Sequence, residues 1–387
     1  MASLLLVIIY IAFISLGLPD SVLGAAWPSM YEYLGTSIGS AGIITMIMYS
    51  GTAVSSFAIG YLEKKLGTAW IVIISVALTA VSMWGFSTAD SFIHLCLFAI
   101  PYGLGGGGVD AALNNYVALH YKARHMSFLH CFWGIGTIIS PLIMSAFLSN
   151  GGVWTQGYEA ISLFQVCLLG VLILSVPLWK KAASGETAAA ADSGEVSYSN
   201  VFSIKGARSA VLCFFCYCAL ESTTGLWAGT YMVNVRGVGI ETATGCAMLF
   251  YAGITAGRFI SGLIAERIGD RRLVAYGMGI CAIGLMMMLL PVDSNIFTFA
   301  GLVTAGLGCA PVFPSMVHFT PEITGEKGSQ ILIGIQLSVA SAGSILIPPL
   351  FGQIVEWGGL HFLPLFSLLF CVVILYIYCG RKVFKQI

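Results

Sequence analysis

Long apolar stretches dominate this chain, and they recur from one end to the other with only short polar breaks between them. Of the 387 residues, 58% are hydrophobic and only 9% are charged, whereas soluble domains carry about 25% charged residues. A helix that crosses a bilayer needs about 20 predominantly apolar residues, so the chain has room for about twelve spans. The pattern therefore predicts an all-α membrane protein with twelve transmembrane helices.

The predicted spans are 3–29, 38–62, 68–88, 91–120, 127–149, 158–180, 205–233, 241–265, 272–292, 295–320, 329–355 and 361–380. The only long polar segment, 181–204, is rich in Ala, Ser, Gly and acidic residues, a composition typical of a flexible linker. We therefore predict six-helix bundles at 1–180 and 205–387. The N-terminus has no basic region before its apolar run, which favours a retained first helix over a cleaved signal.

Basic residues mark one side of the predicted membrane protein. They flank the even-numbered turns, the linker or the tail, and comprise Lys64, Lys65, Lys122, Arg124, Lys180, Lys181, Lys205, Arg208, Arg267, Arg271, Arg272, Lys327, Arg381, Lys382 and Lys385. In the opposite loops we find only Arg236. The positive-inside rule therefore predicts that both termini are cytoplasmic, with the plasma (inner) membrane as the expected location.

Several other classes of function lack support in the sequence. The net charge is zero, so nothing indicates a nucleic-acid partner. Cys213, Cys216 and Cys218 fall in one apolar span without a set of His or Cys partners, so they are interpreted as membrane hydrophobes rather than metal ligands. The glycine run 105–108 has neither a preceding strand nor a following Lys-Ser/Thr, which argues against a nucleotide site and ATP-driven transport. No nucleophile–base set is visible, so neither an enzyme nor a cofactor is expected.

The stretch 103–141 carries the most informative polar residues. Gly103, Gly107, Asp110 and Asn114 are spaced i, i+4, i+7 and i+11, which puts them on one helix face. In the next span, His130 and Trp133 also share a face. An ionisable group at membrane depth usually faces a bundle interior or a wet cavity, and glycines let a neighbouring helix approach closely.

This stretch, with its Gly-Leu-Gly, acid, Asn and following Leu-His-Cys-Phe-Trp-Gly-Ile-Gly, resembles the major facilitator superfamily. The resemblance covers essentially the whole chain. Within the superfamily the sequence is similar to the fucose/galactose/glucose–proton symporters, most strongly at 103–141. The resemblance implies two pseudo-symmetric six-helix bundles, alternating access, and a central cavity lined by the first, fourth and seventh spans.

A second motif after the eighth span is similar to the superfamily signature Gly-x-x-x-Asp-Arg-x-Gly-Arg. The matching residues, which we assign to gating, are Gly262, Glu266, Arg267, Gly269 and Arg271. The corresponding stretch after the second span, at 60–67, departs from the signature because Lys64 stands where the acid is expected. Two copies half a chain apart fit the parallel repeat of such transporters.

Three acids are predicted at membrane depth, and the resemblance places all three on cavity helices: Asp20, Asp110 and Glu221. Burial disfavours a charged carboxylate, so such a group holds a proton and releases it when water or substrate rearranges. We therefore predict that these acids couple transport to protons, with sodium as the alternative ion because carboxylates serve both. Arg258 either pairs with one of them or snorkels to the cytoplasmic surface, and snorkelling is the favoured interpretation.

Recognition of a sugar needs flat apolar surfaces for the ring and polar groups for the hydroxyls. The candidates are Trp27, Trp133, Trp227, Tyr231 and Tyr251 for the first, and Asn114, Asn115, His130 and Gln336 for the second. The predicted function is a monomeric secondary transporter of a small neutral solute, a hexose or deoxyhexose, coupled to protons. One alternative is a non-transporting receptor or scaffold on the same fold. A drug–proton antiporter is weaker, because such antiporters usually carry a basic residue in the middle of the fourth helix.

Overall fold

The computed structural model describes residues 2–121, 123–183, 204, 206–292 and 294–379, and their regular secondary structure is helical. Within this part of the chain, twelve helical segments are long and apolar enough to cross a membrane, from Leu4–Met30 to Gly359–Cys379. The predicted all-α class with twelve spans is therefore confirmed. Hydropathy succeeds here because membrane spans satisfy their backbone hydrogen bonds internally and must be apolar along their length.

Apart from interruptions in the eighth and tenth spans and a helical turn between the tenth and eleventh, the helix ends lie within a few residues of the predicted span ends. The helices are α1 (Ala2–Met30), α2 (Ala41–Leu66), α3 (Thr68–Ser87), α4 (Phe92–His120), α5 (Ala123–Ser149), α6 (Trp154–Ala183), α7 (Ala207–Asn234), α8 (Ile240–Cys246), α9 (Met248–Ile268), α10 (Asp270–Met288), α11 (Ile296–Cys309), α12 (Val312–Glu356) and α13 (Leu363–Cys379). Short 3-10 turns occupy Ile38–Ser40 and Gly359–Phe362.

Two of the spans are interrupted. The eighth span consists of α8 and α9 with a break at Ala247, and the tenth is divided between α11 and the start of α12. Pro311 lies at the second break, where it cannot donate a backbone hydrogen bond and ends the preceding helix. The regular helix of the tenth span is therefore interrupted near its middle.

The predicted turn between the tenth and eleventh spans is helical, because α12 runs through it without interruption. The Thr320 hydroxyl nevertheless donates a 2.9 Å hydrogen bond to the Gln336 side-chain oxygen. In a straight helix these residues would lie about 24 Å apart, so the path of α12 reverses between them. The turn was predicted from its polarity, and its Glu, Lys and Gln residues are also good helix formers.

The chain divides into two compact units. The first contains α1–α6 together with Val238–Met248, which includes α8; the second contains α7 and α9–α13. The predicted bundle boundaries at 180 and 205 stay a prediction, and most of the 181–204 linker lies outside the described residues.

Glycines in α4 determine how the first unit packs. A Cβ at Gly103 would overlap the Met48 carbonyl oxygen of α2, and one at Gly107 would meet Thr52 of the same helix. On another side of α4, a Cβ at Gly105 or Gly108 would meet Ser75 of α3. The absence of side chains therefore lets both α2 and α3 pack against α4 at short distance.

Helices α1 and α5 approach each other in the same way. A Cβ at Gly17 would overlap the Trp133 carbonyl, and the Ser21 hydroxyl donates to the Thr137 carbonyl at 2.7 Å. The Ser21 and Ser140 hydroxyls are also hydrogen-bonded, at 2.9 Å. This close crossing holds Asp20, one residue before Ser21, against α5.

The second unit repeats these helix pairs. The first unit pairs spans 1 with 5, 3 with 4 and 3 with 6, and the second pairs spans 7 with 11, 9 with 10 and 9 with 12. Close glycine approaches recur as well: Gly253 of α9 faces Gly306 of α11, as Gly51 of α2 faces Gly103 of α4. Each unit is thus built by the same sequence of helix contacts.

Candidate functional site

Asp20 is the centre of a hydrogen-bonded cluster that joins three helices of the first unit. Its Oδ2 accepts a 2.6 Å hydrogen bond from Trp133 Nε1 of α5, and its Oδ1 accepts one from the Tyr102 hydroxyl of α4. Two donors directed at the two oxygens suit an ionised carboxylate, which only accepts hydrogen bonds. Asp20 is partly buried, so the cluster holds a carboxylate inside the bundle.

Asp110 lies on α4, about two turns beyond Tyr102. Its Oδ1 accepts a 2.8 Å hydrogen bond from Asn114 Nδ2, which also lies 3.0 Å from the Asp110 carbonyl oxygen. The side chain of Asp110 is therefore held by an amide one turn away on its own helix.

His130 and Trp133 lie one helical turn apart on α5, as their spacing predicted. The His130 ring makes an edge contact with Phe13 of α1 at a centroid distance of 6.0 Å. His130 and Trp133 are each partly buried. Hydrogen bonds join Asp20 to Tyr102 and Trp133, and Asp110 to Asn114, while His130 lies one turn from Trp133 on α5. The six residues are Asp20, Tyr102, Asp110, Asn114, His130 and Trp133. We refer to these six residues as the first-unit polar cluster.

Asn115 lies apart from the first-unit polar cluster, although it is adjacent to Asn114. It is exposed, and its Nδ2 donates a 2.9 Å hydrogen bond to Oε2 of Glu63 at the end of α2. The Thr68 hydroxyl donates to the other oxygen of Glu63, also at 2.9 Å. Glu63, one residue before Lys64, therefore supplies the acid that ties the α2–α3 turn to α4.

The second unit contains an ion pair that is largely, but not fully, buried. Arg258 Nη2 of α9 lies 3.7 Å from Glu221 Oε1 of α7, and the two side chains are 16% and 19% exposed. The expectation that Arg258 snorkels to the surface is therefore wrong. A carboxylate on the neighbouring helix compensates the guanidinium charge within the bundle, so the side chain does not have to reach water.

Most of the aromatic side chains predicted to bind sugar are buried, with their polar atoms bonded to the backbone. Trp27 donates to the Ile38 carbonyl at 2.7 Å, Trp227 to the Pro348 carbonyl at 3.3 Å, and Tyr231 to the Met288 carbonyl at 3.1 Å. Both indoles are 0% exposed and Tyr231 is 3% exposed. In this structure Trp27 is part of the packing of the first unit, and Trp227 and Tyr231 are part of the packing of the second.

The remaining two candidates lie inside the second unit. The ring of Tyr251 is buried, and its hydroxyl occupies the place where a Cβ of Gly225 would lie. Gln336 is fully buried, its side-chain oxygen accepts from Thr320, and its Nε2 has no hydrogen-bond partner among the described residues.

The proposed gating signature lies at the turn between α9 and α10. Gly269 has φ of +81°, a backbone conformation that glycine adopts without steric cost. Arg271 Nη2 donates to the Tyr378 carbonyl at 3.4 Å, Gly262 and Arg267 are exposed, and the Glu266 side chain lies outside what the structure describes. Asp270, within the same turn, contacts His318 Nδ1 at 2.5 Å.

Sequence reasoning missed Tyr102 and Asp270. Tyr102 precedes Asp110 by eight residues, so a search for polar residues about two turns apart on the Asp110 face would have found it. Across the described ranges, no group of three or more His, Cys, Asp or Glu side chains is placed to hold a metal ion.

The two compact units, the twelve spans and the acids within the bundles define a multi-pass membrane protein of the transporter type. The chain belongs to the Major Facilitator Superfamily, whose family profile matches residues 9–249 and 212–385. It is therefore an integral membrane transporter rather than an enzyme.

Individual relatives share the fold at low identity. "Bypass of stop codon protein 6" of Saccharomyces cerevisiae is 23% identical over 92% of this chain and 78% of its own. The "Glucose/mannose transporter GlcP" of Bacillus subtilis is 20% identical over 89% and 86%, and the "Cis,cis-muconate transport protein" of Acinetobacter baylyi is 20% identical over 83% and 79%. The crystal structure of a D-xylose–proton symporter superposes with a TM-score of 0.75 at 12% identity, covering 96% of both chains.

Proposed function

We propose that this protein is a secondary active transporter that moves a small neutral polar solute, a hexose or deoxyhexose, coupled to protons by alternating access. The observation that carries the proposal is the first-unit polar cluster, in which Asp20 accepts hydrogen bonds from Tyr102 and Trp133 near the Asp110–Asn114 pair. Without a nucleotide-binding motif in the sequence, an ion gradient is the energy source that fits the family.

Proton coupling is supported by the different surroundings of the two acids. Asp20 receives donors from two other helices, whereas the side-chain donor to Asp110 comes from Asn114 on its own helix. The contacts of Asp20 therefore join three helices, whereas a change of protonation at Asp110 breaks no contact between helices. Asp110 is accordingly the proton-exchanging group in the proposal, and Glu221 is a less suitable carrier because Arg258 is its counter-ion.

A neutral sugar fits the first-unit polar cluster better than an anion does. The cluster combines two acids with an amide, an imidazole and an indole, and the Asp20 carboxylate would repel a carboxylate solute. Asn114, His130 and Trp133 provide the polar and flat surfaces that a sugar requires. Two of the reported similar proteins are named for glucose/mannose and D-xylose, which agrees with this choice, whereas the muconate relative is named for a dianion.

The remaining assignments complete the proposal. The protein functions as a monomer in the plasma membrane, with both termini and the linker in the cytoplasm, and the signature at 262–271 takes part in gating. The two six-helix bundles at 1–180 and 205–387 form the alternating halves. Sodium in place of the proton is the alternative for coupling, and a receptor or a drug–proton antiporter is the alternative for the activity.

A thermal-shift screen of the purified protein tests the substrate. Glucose, galactose, fucose and xylose are compared with cis,cis-muconate and lipophilic cations, and one sugar is expected to raise the melting temperature. A ligand at 100 times its Kd stabilises the state that it binds by about 2.7 kcal/mol. Stabilisation by cations alone would favour the antiporter, and stabilisation by muconate alone would contradict the neutral solute.

Uptake into proteoliposomes tests transport and coupling. The stabilising sugar is present at equal concentration inside and outside. An inwardly directed proton gradient is then expected to drive accumulation of the sugar, while a sodium gradient at constant pH is not. Sugar binding without any counterflow exchange would favour the receptor.

A further inference from the structure

A groove opens on the first unit where α2 and α3 diverge. Its volume is about 200 Å³, and it is lined by side chains of α2 and α3 with α4 at its base, chiefly Val54, Ala58, Leu62, Ile74, Leu104 and Gly108. The lining is apolar apart from Ser55 and Ser75. The Ser55 hydroxyl is buried and has no hydrogen-bond partner among the described residues.

The groove is a consequence of the glycine packing of α4. Gly103 and Gly107 bring α2 against one side of α4, and Gly105 and Gly108 bring α3 against another. Because each helix is held to α4 rather than to the other, a gap remains between them. The missing side chain of Gly108 deepens this gap at the base.

The groove runs along α2 and α3 up to the turn that joins them. On α2 it extends from Val54 to Leu66, which corresponds to about 18 Å of helix. Half of the hydrocarbon core is about 15 Å, so the groove has the length of one leaflet. Val54, Leu66 and Ile74 are 62%, 45% and 46% exposed, and in a bilayer such side chains contact acyl chains.

A cation lies at the end of the groove nearest the α2–α3 turn. Lys65 is exposed, and its Nζ lies 4.4 Å from the centroid of the Tyr61 ring. An exposed Tyr beside a Lys is typical of the level of the lipid head groups. The acid of the same turn, Glu63, accepts hydrogen bonds from Asn115 and Thr68.

We propose that this groove is a binding site for one anionic phospholipid of the leaflet on the side of the α2–α3 turn. One acyl chain fills the groove between α2 and α3, and the phosphate of the head group lies at Lys65. The apolar lining accounts for the chain, and the charge at its end accounts for the preference for an anionic head group.

Native mass spectrometry of the delipidated protein tests the proposal. The probes are dioleoyl-phosphatidylglycerol and dioleoyl-phosphatidylcholine, and the wild type is expected to bind the first more tightly. Lys65→Gln should weaken phosphatidylglycerol binding about fivefold, the size expected for one basic residue near the membrane surface, and leave phosphatidylcholine unchanged. Ala58→Phe should weaken the binding of both lipids, because the ring occupies the place of the chain.

Two control variants make the outcome decisive. Arg272→Gln removes an exposed charge at a turn of the second unit, and Val81→Phe enlarges an exposed side chain of α3 outside the groove; neither should change binding. Equal binding of both lipids to the wild type and to Lys65→Gln would overturn the head-group assignment. Wild-type binding by Ala58→Phe would overturn the groove. If Ala58→Phe fails to fold, the comparison of Lys65→Gln with Arg272→Gln still decides the head-group assignment.

Discussion

At the scale of single residues, Asp20 and Asp110 of the first unit differ in where their hydrogen-bond donors lie along the chain. Asp20 is fixed by donors 82 and 113 residues away in the sequence, whereas Asp110 is bonded within one turn of its own helix. Protonation of the Asp20 carboxylate would disturb hydrogen bonds that join three helices. A change of protonation at Asp110 would disturb one local hydrogen bond, so Asp110 is the group better placed to exchange a proton during a transport cycle.

Asp110→Asn tests this assignment directly. The amide imitates the protonated acid in shape and charge, so proton-driven accumulation of solute should be lost. Solute binding and counterflow exchange should remain within about a factor of three of the wild type, because Asp110 is neutral in the loaded state of the proposed cycle. The measurements are uptake under a pH gradient and exchange at equal pH.

The matched control is Asp90→Asn, which makes the same change at a side chain that is 87% exposed. This variant should transport as the wild type does. If Asp110→Asn still concentrates solute with the wild-type pH dependence, Asp110 has no part in coupling and Asp20 becomes the candidate.

Asn114 and Asn115 show which side-chain contacts can be predicted from residue spacing along a helix. The i, i+4 relation placed Asn114 beside Asp110 correctly, because helix geometry determines which residues share a face. Asn115 is rotated by about 100° and contacts Glu63 instead. Residue type alone does not distinguish these two amides, because their different contacts follow from their positions on α4.

At the scale of helices, the Glu221–Arg258 pair joins α7 to α9 within the second unit. Glu221→Gln leaves a guanidinium without its carboxylate, and Arg258→Met leaves a carboxylate without its cation. Each single change should lower the free energy of unfolding by about 1–3 kcal/mol, below the range for fully buried pairs because both side chains are partly exposed. The double variant should recover most of the loss.

Thermal unfolding in detergent measures these effects, with Glu241→Gln as the control at an exposed acid of the first unit. Additive losses in the double variant would show that the two side chains do not stabilise each other. Retained proton-driven accumulation by the double variant would further exclude Glu221 as the proton carrier.

The glycine contacts of α4 give a second prediction at this scale. Gly103→Ala places a methyl group on the Met48 carbonyl, so it should destabilise the protein by about 1–3 kcal/mol through overpacking. Gly170→Ala on α6 meets nothing within 4 Å and should be neutral or stabilising, since alanine is the better helix former. Equal melting temperatures of the two variants would contradict the close packing of α2 on α4.

At the scale of the whole molecule, hydropathy predicted the twelve spans because a lipid environment demands apolar sequence over a fixed length. It did not predict the partners of Asp20 or the Arg258 ion pair. These contacts join residues in different spans, and they depend on helix rotation and crossing rather than on local sequence. The sequence names candidates for a site, and the packing decides which of them meet.

The topology prediction also belongs to this scale. The basic residues along the chain predict that the 181–204 linker faces the cytoplasm. A cysteine-reactive, membrane-impermeant reagent should therefore not label a cysteine at position 190 in intact cells, and should label it after lysis. The natural cysteines are replaced beforehand, and an added cysteine at the exposed Val153, between α5 and α6, is the positive control for outside labelling. Labelling of the linker from outside would invalidate the predicted orientation.

The glycine contacts on two sides of α4 also limit how a transport cycle proceeds. A helix seated between two neighbours by backbone contact cannot turn about its own axis without collision, so α2, α3 and α4 are expected to travel as one rigid block. Asp110, three residues beyond Gly107, then keeps the same orientation relative to α2 and α3. If Asp110 exchanges protons as proposed, its access to either side of the membrane is switched by helices outside this block. A spin label on α4 should then keep its distances to labels on α2 and α3 throughout the cycle.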